Sequence, residues 1–250
     1  MLNVDFVSES LENRTVLWLE QTDSTMLDAA RLADGGCPSG TVVGAEEQSA
    51  GQGRHGRSWL SGKEAGLYFS TVLRLPLQPA QQPMVTMAVG LAVAEAITTT
   101  TGIPVDLRWP NDILIVDRKL CGILVQQHNS ALVCGIGINV NQESFPEDLA
   151  PIATSLRLSS GRVLAREPIL IEALRAMDRH LDILVNQGTE AILQLFTAAS
   201  SYVSGRRVVV EQGDKLLRGT TAGLDANGFL LLRQDDGTQT LILAGGVRPE

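Results

Sequence analysis

A glycine-rich, basic segment separates two apolar segments of the chain and limits the secondary structure that they can form. It spans residues 47–59 and contains three glycines, two arginines, a histidine and a tryptophan. The flanking residues 41–45 and 67–75 are apolar and contain β-branched side chains, which is typical of strands. Glycine amides and arginine guanidinium groups together bind phosphate well. The sequence therefore predicts a loop between two strands that binds an anion.

Two other interpretations of this loop are weaker. Residues 51–56 match the G-x-G-x-x-G pattern of dinucleotide-binding loops. Such a loop must lead into a helix and precede an acidic residue about 20 positions later. Here a strand is predicted next, and residues 65–74 contain no acidic side chain. An ordinary solvated surface loop, in turn, does not explain three glycines beside Arg54, Arg57 and Trp59.

Composition narrows the class of protein. The 250 residues are 44% hydrophobic and 19% charged, which predicts an ordered chain with one large domain and room for a small second one. A net charge of -8 argues against nucleic acid or an anionic membrane as a partner. Three cysteines, Cys37, Cys121 and Cys134, form no C-x-x-C pair, which favours the cytoplasm. We expect no signal peptide, and apolar residues 84–97 are too short and interrupted for a membrane span.

Periodicity predicts an α+β fold. Strands are predicted at residues 15–20, 41–48, 67–75, 105–109, 113–116, 120–126 and 131–140, and helices at 26–34, 84–98, 167–186 and 190–201. Thr25 and Asp28 are predicted to form a capping box. After a linker at 76–83 and the last helix, strands at 206–211, 216–224, 229–233 and 238–243, with a turn at 212–214, predict a small barrel. The domains are therefore predicted at residues 1–203 and 204–250.

A second cluster reads Arg-Trp-Pro-Asn-Asp at residues 108–112. A strand end, a turn at Pro110 and turn-capping side chains explain it structurally, and a core position is favoured for Trp109. Asp112 has an alternative role, because Mg²⁺ is usually bound by one or two carboxylates plus substrate phosphates.

A third cluster follows Lys119, which is predicted at the tip of a hairpin. Lysines at hairpin tips are usually solvated. The apolar strand after it contains Gly122, and the next strand contains Gly135 and Gly137. Glycines inside strands allow a ligand or another backbone to approach closely. These positions therefore predict a ligand lying against the sheet.

Taken together, the clusters resemble motifs of the biotin protein ligases. Residues 51–59 are similar to that family's glycine–arginine loop, 108–112 to its basic-Trp-Pro-Asn-Asp motif, 119–125 to Lys-x-x-Gly-Ile-Leu-Val, and 135–140 to Gly-x-Gly-Ile-Asn. Ser24 and Thr25 match the family's Ser-Thr helix start, and Gln48 matches its glutamine before the loop. The agreement runs from about residue 15 to the end. It implies a mixed-sheet catalytic domain with helices on one face and an SH3-like C-terminal β-barrel.

The resemblance also implies a two-step reaction. Biotin and Mg·ATP form biotinyl-5′-AMP and pyrophosphate. A lysine of a biotin carboxyl carrier protein then attacks the adenylate, which gives an amide and AMP. The family includes monomers and homodimers, so the resemblance leaves the oligomeric state open.

The same resemblance assigns roles to individual residues. Lys119 and Arg54 are expected to be catalytic, facing the biotin carboxylate and the α-phosphate. The remaining expectations are biotin binding by Ser24, Thr25, Gln48, Gly51, Gly122 and Gly135, adenylate binding by Arg57, Trp59, Asn111 and Asn139, and a Mg²⁺ contact by Asp112.

The sequence departs from the family at two places. The glycine–arginine loop carries Gln52 where an arginine is usual, which puts one phosphate contact in doubt. Only 23 residues precede Ser24, so we expect no DNA-binding helix-turn-helix of the kind that repressor members carry. Two alternatives remain open: a lipoate ligase or octanoyltransferase, and a non-catalytic biotin or adenylate regulator.

Overall fold

The computed structural model describes residues 1–12, 14–78, 81–213 and 215–250. Two predicted segments extend outside these ranges. The linker at 76–83 includes residues 79 and 80, and the turn at 212–214 includes residue 214.

Seven strands between residues 16 and 139 form one mixed sheet. They are β1 (Val16–Thr22), β2 (Val42–Gln48), β3 (Gly66–Leu73), β4 (Asp106–Arg108), β5 (Asp112–Ile115), β6 (Arg118–His128) and β7 (Ala131–Asn139). Their order across the sheet is β1-β2-β3-β7-β6-β5-β4. β1 runs parallel to β2, and the other neighbours are antiparallel. The predicted strands are present, with shifted ends.

Helices cover both faces of this sheet. They are α1 (Val4–Ser10), α2 (Thr25–Asp34), α3 (Gln82–Thr101), α4 (Leu156–Ser160), α5 (Arg166–Asn186) and α6 (Thr189–Ala199). The large core joins Phe69 and Ile136 of the sheet to side chains of α3, α5 and α6. α2 instead packs Met26, Ala29 and Ala33 on the opposite face in a second apolar cluster. The expectation of helices on one face is therefore wrong for α2, because β3 and β7 are buried along their full length on both faces.

α3 is longer than the sequence predicted. Its residues Pro83–Thr101 have a mean hydropathy of 1.4 and are long and apolar enough to cross a membrane by those two measures. However, 61% of this stretch is buried inside the protein. It packs against α5 and α6, as the core helix that the spacing of its apolar residues indicates.

A second sheet forms the C-terminal part. Its strands are β8 (Ser204–Gln212), β9 (Lys215–Leu224), β10 (Leu230–Arg233), β11 (Gln239–Ile242) and β12 (Gly246–Pro249), and all neighbours are antiparallel in the order β11-β10-β9-β8-β12. Among the described residues β11 and β12 do not pair, so the predicted small barrel is not closed. Trp109 is buried and donates from Nε1 to the Gly228 carbonyl at 2.8 Å. This hydrogen bond connects the second sheet to the first.

Two local predictions are wrong, each for an identifiable reason. The β5–β6 hairpin turns at Val116 and Asp117, whose φ angles are 46° and 62°. Lys119 consequently lies within β6, opposite Leu114, and not at the tip. At α2, Ser24 is the N-cap and makes no side-chain capping bond. Thr25 forms no capping box because its hydroxyl bonds to Gln48 and Ser70 instead.

A buried ion pair ties the N-terminal segment, β2 and α5 together. Glu46 is fully buried, and its carboxylate lies 2.8 Å from Nη1 of Arg166. It also accepts hydrogen bonds from the Leu2 amide at 2.6 Å and from Nε1 of Trp18 at 2.8 Å. Burial raises the pKa of Glu46, but Arg166 and these donors outweigh burial and leave the pKa below its usual value.

Replacing this carboxylate is expected to be costly. Glu46→Gln leaves Arg166 buried without its counter-charge, which should lower the free energy of unfolding by about 3–5 kcal/mol at pH 7. Because the pKa of Glu46 is lowered on folding, its contribution is present above the unfolded pKa of about 4.3 and is lost as the pH falls through the folded value. Urea denaturation from pH 7 to pH 3 measures both effects.

The exposed pair between Glu20 and Lys63 provides the control. Glu20→Gln should leave the urea midpoint unchanged, because solvent-exposed ion pairs contribute little. Equal midpoint shifts for the two variants would show that burial does not govern the Glu46 contribution.

Candidate active site

Eight of the predicted residues line one pocket, on the sheet face that α2 partly covers. The pocket lies between α2, the loop after β2, and the strands β6 and β7. Its lining includes the predicted residues Thr25, Gln48, Arg54, Trp59, Asn111, Lys119, Gly122 and Gly135. It also includes Gly137, where a close approach of a ligand was predicted, Gln52 and Gly53 of the predicted loop, and four residues that were assigned no role from the sequence, namely Met26, Ile123, Leu124 and Ile136.

One end of the pocket carries a chain of hydroxyl and amide groups. Oε1 of Gln48 accepts from the Thr25 amide at 2.9 Å and from its hydroxyl at 3.1 Å. Nε2 of Gln48 donates to the Ser61 hydroxyl at 2.8 Å. The Thr25 and Ser70 hydroxyls lie 2.9 Å apart. This end therefore has fixed donors and acceptors suited to a small polar ring.

The floor of the pocket depends on glycines in β6 and β7. Gly122 and Gly137 are direct partners across these strands. A Cβ on Gly137 would lie 2.4 Å from the Trp59 ring, and a Cβ on Gly122 would lie 2.9 Å from the same ring. A Cβ on Gly135 would lie 2.5 Å from Sδ of Met26. Any larger residue here would displace a pocket wall.

The loop after β2 is folded into a small turn above this floor. Gln52 bridges to Ser58, and the Gly53 amide donates to the Arg57 carbonyl at 2.6 Å. The Trp59 amide donates to the Gly51 carbonyl at 2.8 Å. The Trp59 indole thereby lies over the glycines, and its Nε1 is buried without a hydrogen-bond partner among the described residues. An unpaired buried donor of this kind is costly unless a ligand satisfies it.

Cations line the other end of the pocket. Arg54 donates from Nη1 to Oδ1 of Asn111 at 2.8 Å. Burial is the main cause that lowers the pKa of Arg54, and nearby Arg57 lowers it further against the attraction of Asp112. Arginine nonetheless stays charged in proteins. Nζ of Lys119 lies 5.4 Å from the centre of the Trp59 ring, above the pocket floor.

Asp112 holds two of the cations around the pocket. Its carboxylate pairs with Arg108 at 2.7 Å and with Lys119 at 2.7 Å. Burial raises the pKa of Asp112, but the two cations outweigh it and leave the pKa below its usual value. Asp112 is therefore a charged anchor that fixes the Lys119 ammonium, and a Lys119 variant would still leave it paired with Arg108.

The described residues do not fit a resident metal ion. Both carboxylate oxygens of Asp112 already contact cations, so a divalent ion would have to displace Lys119. Within the part of the chain that the structure describes, no group of three or more His, Cys, Asp or Glu side chains is arranged to hold a metal.

Several predicted residues lie outside the lining. Asn139 is buried and bonds to the Thr154 carbonyl and to Gln142. Arg57 is exposed and lies 3.5 Å from Glu211 of β8. Gly51 packs behind the loop, where a Cβ would lie 2.6 Å from the Trp59 carbonyl. The Ser24 hydroxyl is buried without a hydrogen-bond partner among the described residues.

Some of the missed residues had a signal in the sequence and others had none. Gly137 belongs to the same glycine pair as Gly135, and Met26 follows Thr25 at the start of the predicted helix. Ser70 and Ser61 had no local signal, because only the register of β3 and the path of the loop bring them to Thr25 and Gln48.

Comparison with known families agrees with this geometry. The chain matches the Biotin/lipoate A/B protein ligase family over residues 18–143. It matches the Biotin protein ligase C terminal domain over residues 203–247.

Individual relatives agree as well. The chain is 34% identical over 232 residues to a biotin–[acetyl-CoA-carboxylase] ligase of Mycobacterium tuberculosis, covering 90% of this chain and 85% of that protein. It is 32% identical over 240 residues to a bifunctional ligase/repressor of Bacillus subtilis, covering 92% of this chain and 72% of that protein. The structure superposes with a TM-score of 0.84 on a biotin protein ligase from Aquifex aeolicus in complex with biotin and ATP. The two are 31% identical, and the match covers 94% of this chain and 99% of that one. The resemblance seen in the motifs is thus confirmed, and the chain belongs to the biotin/lipoate A/B protein ligase family, among its biotin protein ligases.

Proposed function

We propose that this chain is an ATP-dependent ligase that activates biotin as biotinyl-5′-AMP and transfers it to a lysine of a biotin carboxyl carrier protein. One observation carries the proposal: a single pocket joins a fixed amide and hydroxyl end to a cationic end across a glycine floor. The fixed end suits the ureido ring of biotin. The cationic end suits its carboxylate and the α-phosphate of ATP.

The first step brings two anions together. A carboxylate oxygen of biotin attacks the α-phosphorus of ATP, the new P–O bond forms, and pyrophosphate leaves. Lys119 and Arg54 lie where positive charge offsets the repulsion between the reactants. Asp112 pairs with the Lys119 ammonium at 2.7 Å and orients it. Arg54 is held by Asn111 at 2.8 Å, so neither cation must reorganise far during the reaction.

The second step is acyl transfer. The neutral amine of the acceptor lysine attacks the carbonyl carbon of the adenylate, the C–N bond forms, AMP leaves, and the amine loses a proton to water or to AMP. The mixed anhydride hydrolyses readily in water. Closure of residues 49–61 over the pocket would exclude water and lengthen its life.

The finer assignments belong to the same proposal. Mg²⁺ enters as the ATP complex, since Asp112 is already paired with two cations. Ser24 and Gly51 support the biotin end, Arg57 acts on the adenylate side after the loop closes, and Asn139 supports that side from β7. Residues 1–203 form the catalytic domain and 204–250 the C-terminal one. The enzyme acts in the cytoplasm as a monomer or homodimer and uses neither nucleic acid nor membrane.

The nearest alternative is ligation of lipoate or a related acyl chain. The dithiolane ring of lipoate offers no strong hydrogen-bonding groups to satisfy Gln48, Thr25 and Ser61. A ring without such groups would displace water from this polar end and return no hydrogen bond, whereas the ureido ring can use the remaining donor and acceptor capacity, so the polar end favours biotin. A purely regulatory protein is disfavoured because Lys119 and Arg54 point two cations into the reacting end.

Pyrophosphate exchange separates the two substrates. We expect biotin, with ATP and Mg²⁺, to support exchange of labelled pyrophosphate into ATP, and lipoate to support little or none. Both acids are compared at equal concentration without an acceptor protein. Exchange with lipoate and not with biotin would overturn the assignment.

Loss of the Lys119 charge is expected to impair adenylation. Lys119→Ala should lower the exchange rate by about 10²–10³-fold, the range for loss of one preorganised electrostatic group. The protein should stay folded, because Asp112 keeps its pair with Arg108. Lys63→Ala, which removes an exposed lysine paired with Glu20, is the control. Exchange near the unsubstituted rate in Lys119→Ala would remove this residue from the site.

The glycine floor gives a separate prediction. Gly137→Ala should raise the KM for biotin at least about tenfold, since displacing the indole by 1 Å or more costs over 1.4 kcal/mol of binding. Gly62→Ala is the matched control, because a Cβ there meets no atom within 4 Å. Initial rates at varied biotin measure both, and an unchanged KM in Gly137→Ala would mean that Trp59 is not a wall of the biotin pocket.

A further inference from the structure

A buried serine lies behind the polar wall of the pocket. Ser70 belongs to β3, is fully buried and lies outside the pocket lining. Its hydroxyl is 2.9 Å from the Thr25 hydroxyl and makes no other side-chain hydrogen bond with the described residues. A buried hydroxyl without a partner is costly. The contact with Thr25 is therefore what satisfies the Ser70 hydroxyl.

The register of the sheet places this serine on the pocket face. Ser70 pairs directly with Gly135 of the pocket floor. A Cβ on Gly135 would lie 3.4 Å from Oγ of Ser70. Because side chains alternate along a strand, the next residue, Thr71, faces the opposite side, as does Phe69 of the large core. Ser70 therefore supports the polar wall from the sheet.

The direction of each hydrogen bond in the wall follows from the chemistry of its groups. The Thr25 backbone amide can only donate, so the Gln48 atom that lies 2.9 Å from it is the acceptor Oε1. The Thr25 hydroxyl lies 3.1 Å from the same oxygen and donates its single proton there. Ser70 must then supply the proton in the contact between the two hydroxyls.

These bonds leave the Thr25 hydroxyl one free direction. Its oxygen is bonded to Cβ and to its own proton, and it accepts the Ser70 proton, so one lone pair remains. Gln48 donates one N–H to Ser61 at 2.8 Å and keeps a second N–H. Thr25 and Gln48 both line the pocket. They therefore offer a ligand one acceptor beside one donor, which matches the N–H and C=O groups of a ureido ring.

We propose that Ser70 is a positioning residue for biotin, which holds the Thr25 hydroxyl so that it accepts from a ring N–H. The proposal rests on the proposed ligase function and extends it to a residue that does not touch the substrate. Without Ser70, the Thr25 hydroxyl would be held by Gln48 alone and would adopt further rotamers. A smaller fraction of the protein would then present the acceptor, which weakens the apparent affinity by that fraction.

Ser70→Ala tests this role directly. In biotin-dependent pyrophosphate exchange, it should raise the KM for biotin about fivefold, the effect of losing one net hydrogen bond. The KM for ATP should stay unchanged, because Lys119 and Arg54 lie at the other end of the pocket. The value of kcat should also stay unchanged, since an interaction that is equal in the ground and transition states affects KM alone. Initial rates at varied biotin and varied ATP measure all three values.

Thr71→Val is the matched control. Thr71 is the next residue of β3, is equally buried, and donates from its hydroxyl to the Thr41 carbonyl at 3.2 Å. The substitution removes a buried hydroxyl from the same strand, on the face away from the pocket. Its KM for biotin should therefore match that of the unsubstituted protein, whatever its melting temperature. An equal rise in KM in both variants would show that Ser70 acts only through the stability of β3 and would overturn the proposal.

A double substitution tests whether the effect of Ser70 passes through Thr25. Thr25→Val removes the hydroxyl and keeps the backbone amide that holds Gln48. In this background, Ser70→Ala should cause no further rise in the KM for biotin, because the hydroxyl that Ser70 positions is already absent. It should also raise the melting temperature of Thr25→Val, since it removes a buried hydroxyl that has lost its partner. Independent, additive rises in KM would contradict the proposed route.

The outcomes separate this proposal from the ligase function itself. Biotin-dependent exchange with an unchanged KM for biotin in Ser70→Ala would overturn the positioning role and leave the ligase function intact. Absence of biotin-dependent exchange by the unsubstituted protein would overturn the ligase function and, with it, the role of Ser70 in biotin binding.

Discussion

The absence of side chains at three strand positions is the constraint on which the rest of the pocket depends. Gly122, Gly135 and Gly137 present bare backbone on one face of β6 and β7, and each is too close to a pocket wall for a Cβ. Glycine inside a strand costs roughly 0.5–1 kcal/mol relative to alanine. The alternating residues of β7, such as Cys134 and Ile138, pack in the large core on the other face and offset that cost. One face of the sheet thus contributes to the core, and the other face forms the floor of the pocket.

α2 explains why the pocket has its particular extent. Its apolar side chains cover Val43, Val72 and Val133 at one end of the binding face, and its N-terminus brings Thr25 to the edge of the uncovered end. The uncovered end is where the glycines lie. One helix therefore closes the pocket on one side and supplies its polar wall, while Asp112 orients Lys119 on the other side. Anchoring both walls in buried structure preorganises the site before a substrate binds.

The sequence predicted local features well and non-local geometry poorly. Glycine positions, strand periodicity and the order of the motifs located most of the pocket lining. The ion pair between Asp112 and Lys119 depends on cross-strand register and on an irregularity after Ile113, which no local pattern encodes. The hydrogen bond from the Asn139 amide to the Thr154 carbonyl likewise depends on the position of a distant loop. The edges of β11 and β12 are likewise unpaired because β12 pairs with β8, whose residues are far away in the chain.

The C-terminal sheet is held firmly to the core, whereas the loop after β2 is held only weakly to that sheet. Trp109 and Gly228 fix the C-terminal sheet to the core, and a Cβ on Gly228 would lie 2.4 Å from Met84 of α3. Against this rigid sheet, the loop makes an ion pair between Arg57 and Glu211 at 3.5 Å, with Arg57 69% exposed. Exposed pairs of this kind contribute little free energy, so the loop separates from the sheet at small cost. Movement of the loop therefore leaves the glycine floor, the Thr25–Gln48 wall and the Asp112–Lys119 pair in place.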